Sequence, residues 1–391
     1  MQVSQIYGIV NAITSEVLGE NDIVREDLSN IVDIGDTLAN ISSTAYENYV
    51  RSLVDHIGRV VFVNRPYSGT GVSILRDAWE YGSILEKITA ELPEATENAS
   101  WDLQDGYVYE QDKFTKPSVS AKFYDSKTTF EIPMSFAERQ SKSAFSSASQ
   151  LNAFFSMIET QIYNSKTIKT DELAMRTINN MIGMTLYDEF PGGTYTGRSG
   201  VKAINLLYLY NQQYSSAPIY DLATAMATPS FIRFCSYHMG VYEYRMRKIS
   251  RLFNMGGMAR FTPQDRLHFI LLNDFAKAAD VYNQSDTFHD EFTRIPNAER
   301  VPFWQGSGDD YAMSQISSIS ITTSDNHNIS ASGILGVMFD RDALGIANEN
   351  ARVTTHYNAR AEFFNNWYKE DASYWCDGNE NFVVFYAADA Q

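Results

Sequence analysis

An α+β fold is predicted by three features of the sequence. Residues 118–136 alternate apolar and polar side chains on both sides of a short polar turn. A long stretch with helical spacing follows directly. From about residue 266 onward, strand-like and helix-like pieces interleave. In the first feature, Val119, Ala121 and Phe123 alternate with Ser118, Ser120, Lys122 and Tyr124, and the turn is Asp125-Ser126-Lys127. Phe130, Ile132, Met134 and Phe136 then alternate with Glu131, Pro133 and Ser135. Period-two alternation flanking a short turn predicts a β-hairpin. In the second, Leu151, Phe154, Phe155, Ile158 and Ile162 recur at three- and four-residue spacing, the stripe of an amphipathic helix.

The elements follow in chain order. Residues 1–63 read as short amphipathic helical pieces, with stripes at Ile6, Ile9, Val10 and Ile13, at Ile31, Ile34, Leu38 and Ile41, and at Tyr46, Tyr49, Val50 and Leu53. Gly58 to Val63 reads as a strand, Asn64 to Gly71 as a turn-rich loop, and Val72 to Leu75 and Gly82 to Ile88 as short strands. The long helix starts near Ser146 to Ser149, residues suited to capping, and stops at Pro191-Gly192-Gly193. Unbroken, it is roughly 55–60 Å long at about 1.5 Å per residue. Short helices are predicted over 201–214 and 229–253. Strands follow at Leu267 to Leu272, Ile316 to Thr322, Gly333 to Phe339 and Phe382 to Tyr386, with helices at Asp274 to Val281 and Ala359 to Lys369.

Composition narrows the function classes. With 391 residues, 44% hydrophobic and 20% charged, the chain can bury a sizeable core and is not disordered. The 24 Tyr and 23 Phe favour strands and subunit interfaces. A net charge of −17 argues against a strong grip on nucleic acid, which needs Lys and Arg to neutralise phosphates. Cys235 and Cys376, the two cysteines, make no disulfide framework and are expected free. No apolar run of about 18 residues suggests a membrane span, and the first residues lack the basic and apolar regions of a signal peptide.

A search for chemistry finds no catalytic, cofactor or metal site. Ser68-Gly69-Thr70-Gly71 lacks the Lys-Ser/Thr of a phosphate loop, and the glycines at 192, 193, 197 and 200 lack dinucleotide spacing; both read as turns. The six histidines include no i, i+4 pair on a helix and no neighbouring cysteine at metal spacing. His289-Asp290-Glu291 lies in a polar stretch and reads as solvated surface. Gly306-Ser307-Gly308 reads as a flexible loop rather than a nucleophile turn. Asp309-Asp310 offers paired carboxylates, and Asp340-Arg341-Asp342 reads as a turn with an internal ion pair. The densest positive run is Arg245, Arg247, Lys248 and Arg251. It is either a solvated helix face or a face turned to nucleic acid or to an acidic neighbour.

The order of elements resembles the major capsid proteins of tailed bacteriophages, with the Hong Kong 97-type capsid fold. Two stretches carry the resemblance. Thr115 to Tyr124, continuing through Phe130-Glu131-Ile132 to Gln150 to Phe154, is similar to that family's extended loop leading into its spine helix. Gly333 to Gly345, followed by Thr354 to Asn358, is similar to the return through its central sheets. The resemblance implies an N-terminal arm at 1–63, peripheral-domain strands at 64–106 and an extended β-hairpin loop at 107–137. It further implies a spine helix and peripheral domain at 138–214, a mainly axial domain at 215–350 and a return to the peripheral domain at 351–391. Asn379 to Phe385 would be a late peripheral strand.

The function so implied is self-assembly into an icosahedral shell around double-stranded phage DNA. The implied partners are further copies of the chain in hexameric and pentameric capsomers, scaffold and portal proteins, and packaged DNA held without sequence-specific binding; no membrane is involved. The implied location is the virion, after assembly in the host cytoplasm. No cofactor is expected. Subunit contacts are expected at the hairpin, through Lys122, Tyr124, Asp125, Ser126, Lys127, Thr128 and Phe130, and at Arg245, Arg247, Lys248 and Arg251. Truncating Lys122 to Thr128 should then leave a folded subunit that fails to assemble. Lys113, Lys116, Lys122 and Lys127 lie beside the hairpin, but nothing there marks a covalent crosslink. The competing readings are an α+β enzyme with a scattered site and an encapsulin-like compartment shell.

Overall fold

A computed structural model describes residues 66–67, 69, 74–76, 85–93, 95–109, 112, 114, 116–137, 148–284, 298–305, 313–322 and 327–388. The expectations for 1–63, for His289 to Glu291 and for Gly306 to Asp310 lie outside these residues. The chain divides into two compact units. Among the described residues, the first takes in Ile132–Asn164 and Val353–Tyr368, and the second holds the remainder from Tyr67 onward.

The core of the second unit surrounds a five-stranded mixed sheet. Its strands are β5 (Ala203–Asn205), β6 (Leu267–Leu272), β7 (Glu299–Val301), β10 (Ile334–Asp340) and β13 (Phe382–Tyr386), in the order β5-β13-β10-β6-β7. Two of the three inner strands, β10 and β13, are buried at every position. That explains their sequences, Ile-Leu-Gly-Val-Met-Phe and Phe-Val-Val-Phe-Tyr, which are apolar on both faces rather than alternating. Gly336 sits where β10 shifts register against β13. A Cβ there would stand 2.9 Å from the Ile270 carbonyl oxygen and 2.5 Å from a Leu271 methyl, so only glycine admits this approach.

Helices pack about this sheet. The longest, α1 (Ala148–Glu189), has 42 residues, about 63 Å at ~1.5 Å per residue. It runs unbroken through the polar stretch at 164–170 and ends where Gly192 and Gly193 take φ of 98° and 78°, left-handed values that glycine adopts freely. α2 (Leu206–Gln213) is capped by the Asn205 side chain, which accepts from Tyr208 N–H, and α3 (Leu222–Met226) by Asp221, which accepts from Thr224 N–H. α4 (Pro229–Arg247) opens on a proline and closes with Arg245 and Arg247 in its last turn, where cations suit the helix dipole. It therefore stops short of the expected residue 253. α5 (Asn273–Gln284) and the single turn α6 (Met313–Ile316) complete the set. α6 takes the start of the segment expected as a strand at 316–322, and only Ile319–Thr322 is extended.

Two further sheets depart from expectation. β2 (Leu85–Ala90) pairs antiparallel with β3 (Val119–Tyr124) in a two-stranded sheet. β4 (Lys127–Ala137) lies instead at the edge of a four-stranded sheet of order β1-β11-β12-β4, with β1 (Leu75–Arg76), β11 (Leu344–Asn358) and β12 (Phe363–Cys376). The expected hairpin of 118–124 with 130–136 is therefore not formed. A two-residue hairpin turn of the favoured type needs positive φ, and neither Asp125 nor Ser126 has it. The chain passes from one sheet to the other, held there by a bond from Tyr374 N–H to the Ser126 carbonyl of 3.1 Å.

The helix expected at 359–369 is also a strand. Phe363, Phe364 and Trp367 fit either period, but Asn358 Oδ1 accepts from the N–H groups of Arg360 and Ala361. That side-chain turn reverses the chain between β11 and β12. In the first unit the two strands are joined across by Thr355 Oγ1 donating to Asn366 Oδ1 at 2.8 Å, and by the Tyr357 and Phe364 rings at 4.6 Å. A smaller antiparallel pair, β8 (Ile319–Thr322) and β9 (Asn328–Ala331), lies in the second unit.

Candidate assembly interface

The most exposed apolar surface among the described residues is carried by β2, β3 and the 28-residue connection between them, residues 91–118. Trp101 is 98% exposed, Phe114 86% and Val108 81%. Leu92, Leu103 and Tyr107 are also exposed, and so are Ile88, Val119 and Phe123 on the strands. The register explains the strand part: Ala90 faces Val119, Ile88 faces Ala121 and Glu86 faces Phe123 on one side of the ribbon.

The connection has internal order. Gln104 N–H donates to the Tyr109 hydroxyl at 2.9 Å, Ser100 N–H donates to Asn98 Oδ1 at 2.9 Å, and the Tyr107 and Tyr109 rings meet edge to face at 5.0 Å. An ordered, aromatic, water-facing surface is the composition of an interface rather than of a monomer's exterior.

The opposite side of the ribbon is anchored. Lys87 and Lys122 are register partners on β2 and β3. Lys87 Nζ donates to Asp377 Oδ2 and Glu380 Oε1, both at 2.7 Å, and Lys122 Nζ donates to Asp377 Oδ1 at 3.1 Å. Arg260 Nε lies 3.5 Å from the same Glu380 oxygen. Burial pushes the Asp377 carboxyl up, but hydrogen bonding and charge from Lys87, with further help from Lys122, hold it below the usual carboxylate range. Its contribution to folding is therefore complete above the unfolded carboxylate value, and it is lost only as pH falls through the lower folded one. Burial, and then the Asp377 charge, pushes the Tyr124 hydroxyl up. Cys376, half-buried alongside, is pushed up by desolvation to about 12, which makes it a poor nucleophile at neutral pH. Cys376 and Cys235 are both free.

The residues expected to make subunit contacts fall into three groups. Lys122 and Tyr124 belong to the anchored side of the ribbon. Asp125 and Ser126 form the passage between the two sheets, Lys127 and Thr128 open β4, and Phe130 packs against the core. The expected truncation of Lys122 to Thr128 would thus remove an anchor and a sheet junction and damage the subunit itself.

Of the basic run, Arg247 pairs with the buried Glu243 and stacks on Tyr244. Arg245 stacks on Tyr242 at 5.0 Å. Lys248 and Arg251 are exposed beyond the helix. Arg251→Ala is accordingly expected to shift unfolding free energy by no more than about 0.5 kcal/mol, read by urea denaturation. In the Asp340-Arg341-Asp342 turn, Asp342 pairs with Arg266, and Asp340 accepts from Asp342 N–H at 2.9 Å.

Sequence reasoning missed the β2–β3 surface because its two strands are separated by the whole connection. The signal available was the density of Trp, Tyr, Leu and Phe in a polar stretch. Among the described residues, no His, Cys, Asp and Glu cluster is placed to hold a metal ion, and no helix is long and apolar enough to cross a membrane.

A long helix, a mixed five-stranded sheet and a two-stranded ribbon are the elements of a viral shell protein of the Hong Kong 97 type. Solved structures agree on the fold. The capsid of Staphylococcus phage Andhra is similar with a TM-score of 0.54 at 9% identity, over 85% of this chain and 87% of that one. A structure of the head fiber and inner core protein gp22 of native bacteriophage P68 is similar with a TM-score of 0.51 at 7% identity, over 84% and 87%.

The model of the Phi29-like phage major capsid protein family matches residues 10–386, and the chain belongs to that family. A stretch of 200 residues is 25% identical to the major capsid protein of Bacillus phage GA-1, covering 48% of this chain and 39% of that protein. The match thus spans well under half the length of that relative.

Proposed function

We propose that this chain builds the icosahedral head shell around double-stranded DNA, in hexameric and pentameric capsomers, and that the β2–β3 ribbon with residues 91–118 is the extended loop that clasps the neighbouring copy. The observation that carries this reading is the exposed aromatic surface of that loop, with Trp101 98% exposed. A surface of this kind is stable in water only when another chain covers it. A contact between two different patches of identical subunits closes into rings, as capsomers require. In this assignment the loop spans 85–124 rather than 107–137. α1 is the spine, and the four-stranded sheet belongs to the peripheral domain. The five-stranded sheet with α2 to α5 forms the axial domain, to which β13 also belongs. The role is structural and not enzymatic.

Scaffold and portal proteins complete the assembly in the host cytoplasm, and the shell ends in the virion. DNA is enclosed without sequence-specific contact, because a chain of net charge −17 repels phosphate over most of its surface. Free subunits are expected to bind duplex DNA with a dissociation constant on the order of 10⁻⁴ M or weaker at physiological salt, measured by fluorescence anisotropy. Micromolar, steeply salt-dependent binding would contradict this part of the reading. The assembly itself is tested by co-expressing the chain with a scaffold and examining the products by size-exclusion chromatography and negative-stain microscopy. Closed shells are expected, and small soluble oligomers alone would overturn the proposal.

A further inference from the structure

One carboxylate, Asp377, takes a lysine from each strand of the ribbon, and Lys87 is held further by Glu380 and by the Asp342 carbonyl at 3.3 Å. Lys87 and Lys122 face each other across β2 and β3, an arrangement that on its own pushes the strands apart. Asp377, 2% exposed at its side chain, lies between them and takes one lysine on each oxygen, at 2.7 and 3.1 Å. Glu380 takes Lys87 as well and is itself flanked by Arg260. The only lysines on the two strands thus both meet Asp377, which stands 290 residues after the first of them.

We infer that Asp377 is the positioning residue of the extended loop: by clamping Lys87 and Lys122 together, it fixes the direction in which residues 91–118 are presented to a neighbouring subunit. The inference rests on the clasping role given to the loop above. The clamp is ionic, so it holds direction without a large packed interface, and its loss frees the ribbon as a unit. Asp377 also accepts from Asn379 N–H at 3.1 Å in the turn it begins. Asparagine preserves that acceptor while removing the charge, so Asp377→Asn separates the clamp from the turn.

Hydrogen exchange on free subunits tests the clamp independently of assembly. In Asp377→Asn, the ladder amides of β2 and β3 are expected to exchange about tenfold faster or more, while those of β10 and β13 keep their rates. Lys122→Met, at a partly exposed position, is expected to act in the same direction. The two changes combined should add less than the sum of their separate effects. If Asp377→Asn does not fold, Lys122→Met and Lys87→Met carry the test. Unchanged β2 and β3 exchange in the variants that fold overturns the inference, and so does a rise spread equally over the central sheet. Shell yield under co-expression with scaffold is the second readout. Faster exchange with fewer or misshapen shells supports both the clamp and the clasping role. Faster exchange with normal shells keeps the clamp and overturns the clasping role.

Discussion

Replacing residues 93–117 with a short glycine-serine turn is expected to leave a folded subunit that forms no shells. The excised segment carries Trp101, Leu103, Tyr107, Val108 and Phe114, all exposed, and its described hydrogen bonds are largely within itself. The residues that tie the ribbon to the subunit, Lys87 and Lys122, lie outside the deletion. The thermal midpoint should therefore move by only about 2–4 °C, the effect of ~1 kcal/mol or less. Particle formation should fall below detection by negative-stain microscopy. Shells of normal yield and size from the deletion variant would remove the loop from the assembly interface.

The largest effect on the subunit alone is expected from Trp304→Ala. Trp304 is 1% exposed. Its indole N–H donates to the Ile334 carbonyl at 2.9 Å, and its own carbonyl accepts from Asn179 Nδ2 at 2.7 Å. The residue thereby joins the first residue of β10 to the C-terminal half of α1. Truncation removes a large apolar side chain and leaves a buried carbonyl without its donor. The expected loss is about 3–5 kcal/mol, a large part of the whole stability of an ordinary domain. Urea unfolding of the free subunit measures it. A loss under about 1 kcal/mol would show that the surroundings close over the gap. Trp304 also lines a cavity of about 1040 Å³ with Met175, Asn179 and Phe303, so an enlarged void there has an existing space to merge with.

The parts of the fold that were legible are those in which local pattern alone decides the element. β6, β10 and β13 announce themselves as short, largely apolar runs, and α1 by its spacing and its Pro-Gly-Gly stop. The choice of partner was not legible. Alternation identifies β3 and β4 as strands, but it carries no statement of what each pairs with. The nearest neighbour in sequence was the wrong one, because the two residues between them keep negative φ. At 363–367 the aromatic spacing satisfies both periods, and a single asparagine side chain upstream decides the outcome. The pairing of β2 with β3 was missed for the same reason: the two strands lie a whole loop apart. The ion cluster at its base joins residues 87, 122, 377 and 380, which no local window contains.

The facing pair Lys87 and Lys122 has an evolutionary consequence. Two like charges in register are tolerated because a single carboxylate answers both, so each position constrains the other two. A drift at 377 to a neutral residue would leave Lys122 facing a Lys87 whose remaining carboxylate is Glu380, and a drift at either lysine would leave Asp377 buried with half its compensation. Among relatives of this chain the three sites are therefore expected to change in concert, as a triplet exchanged for an apolar set or retained intact.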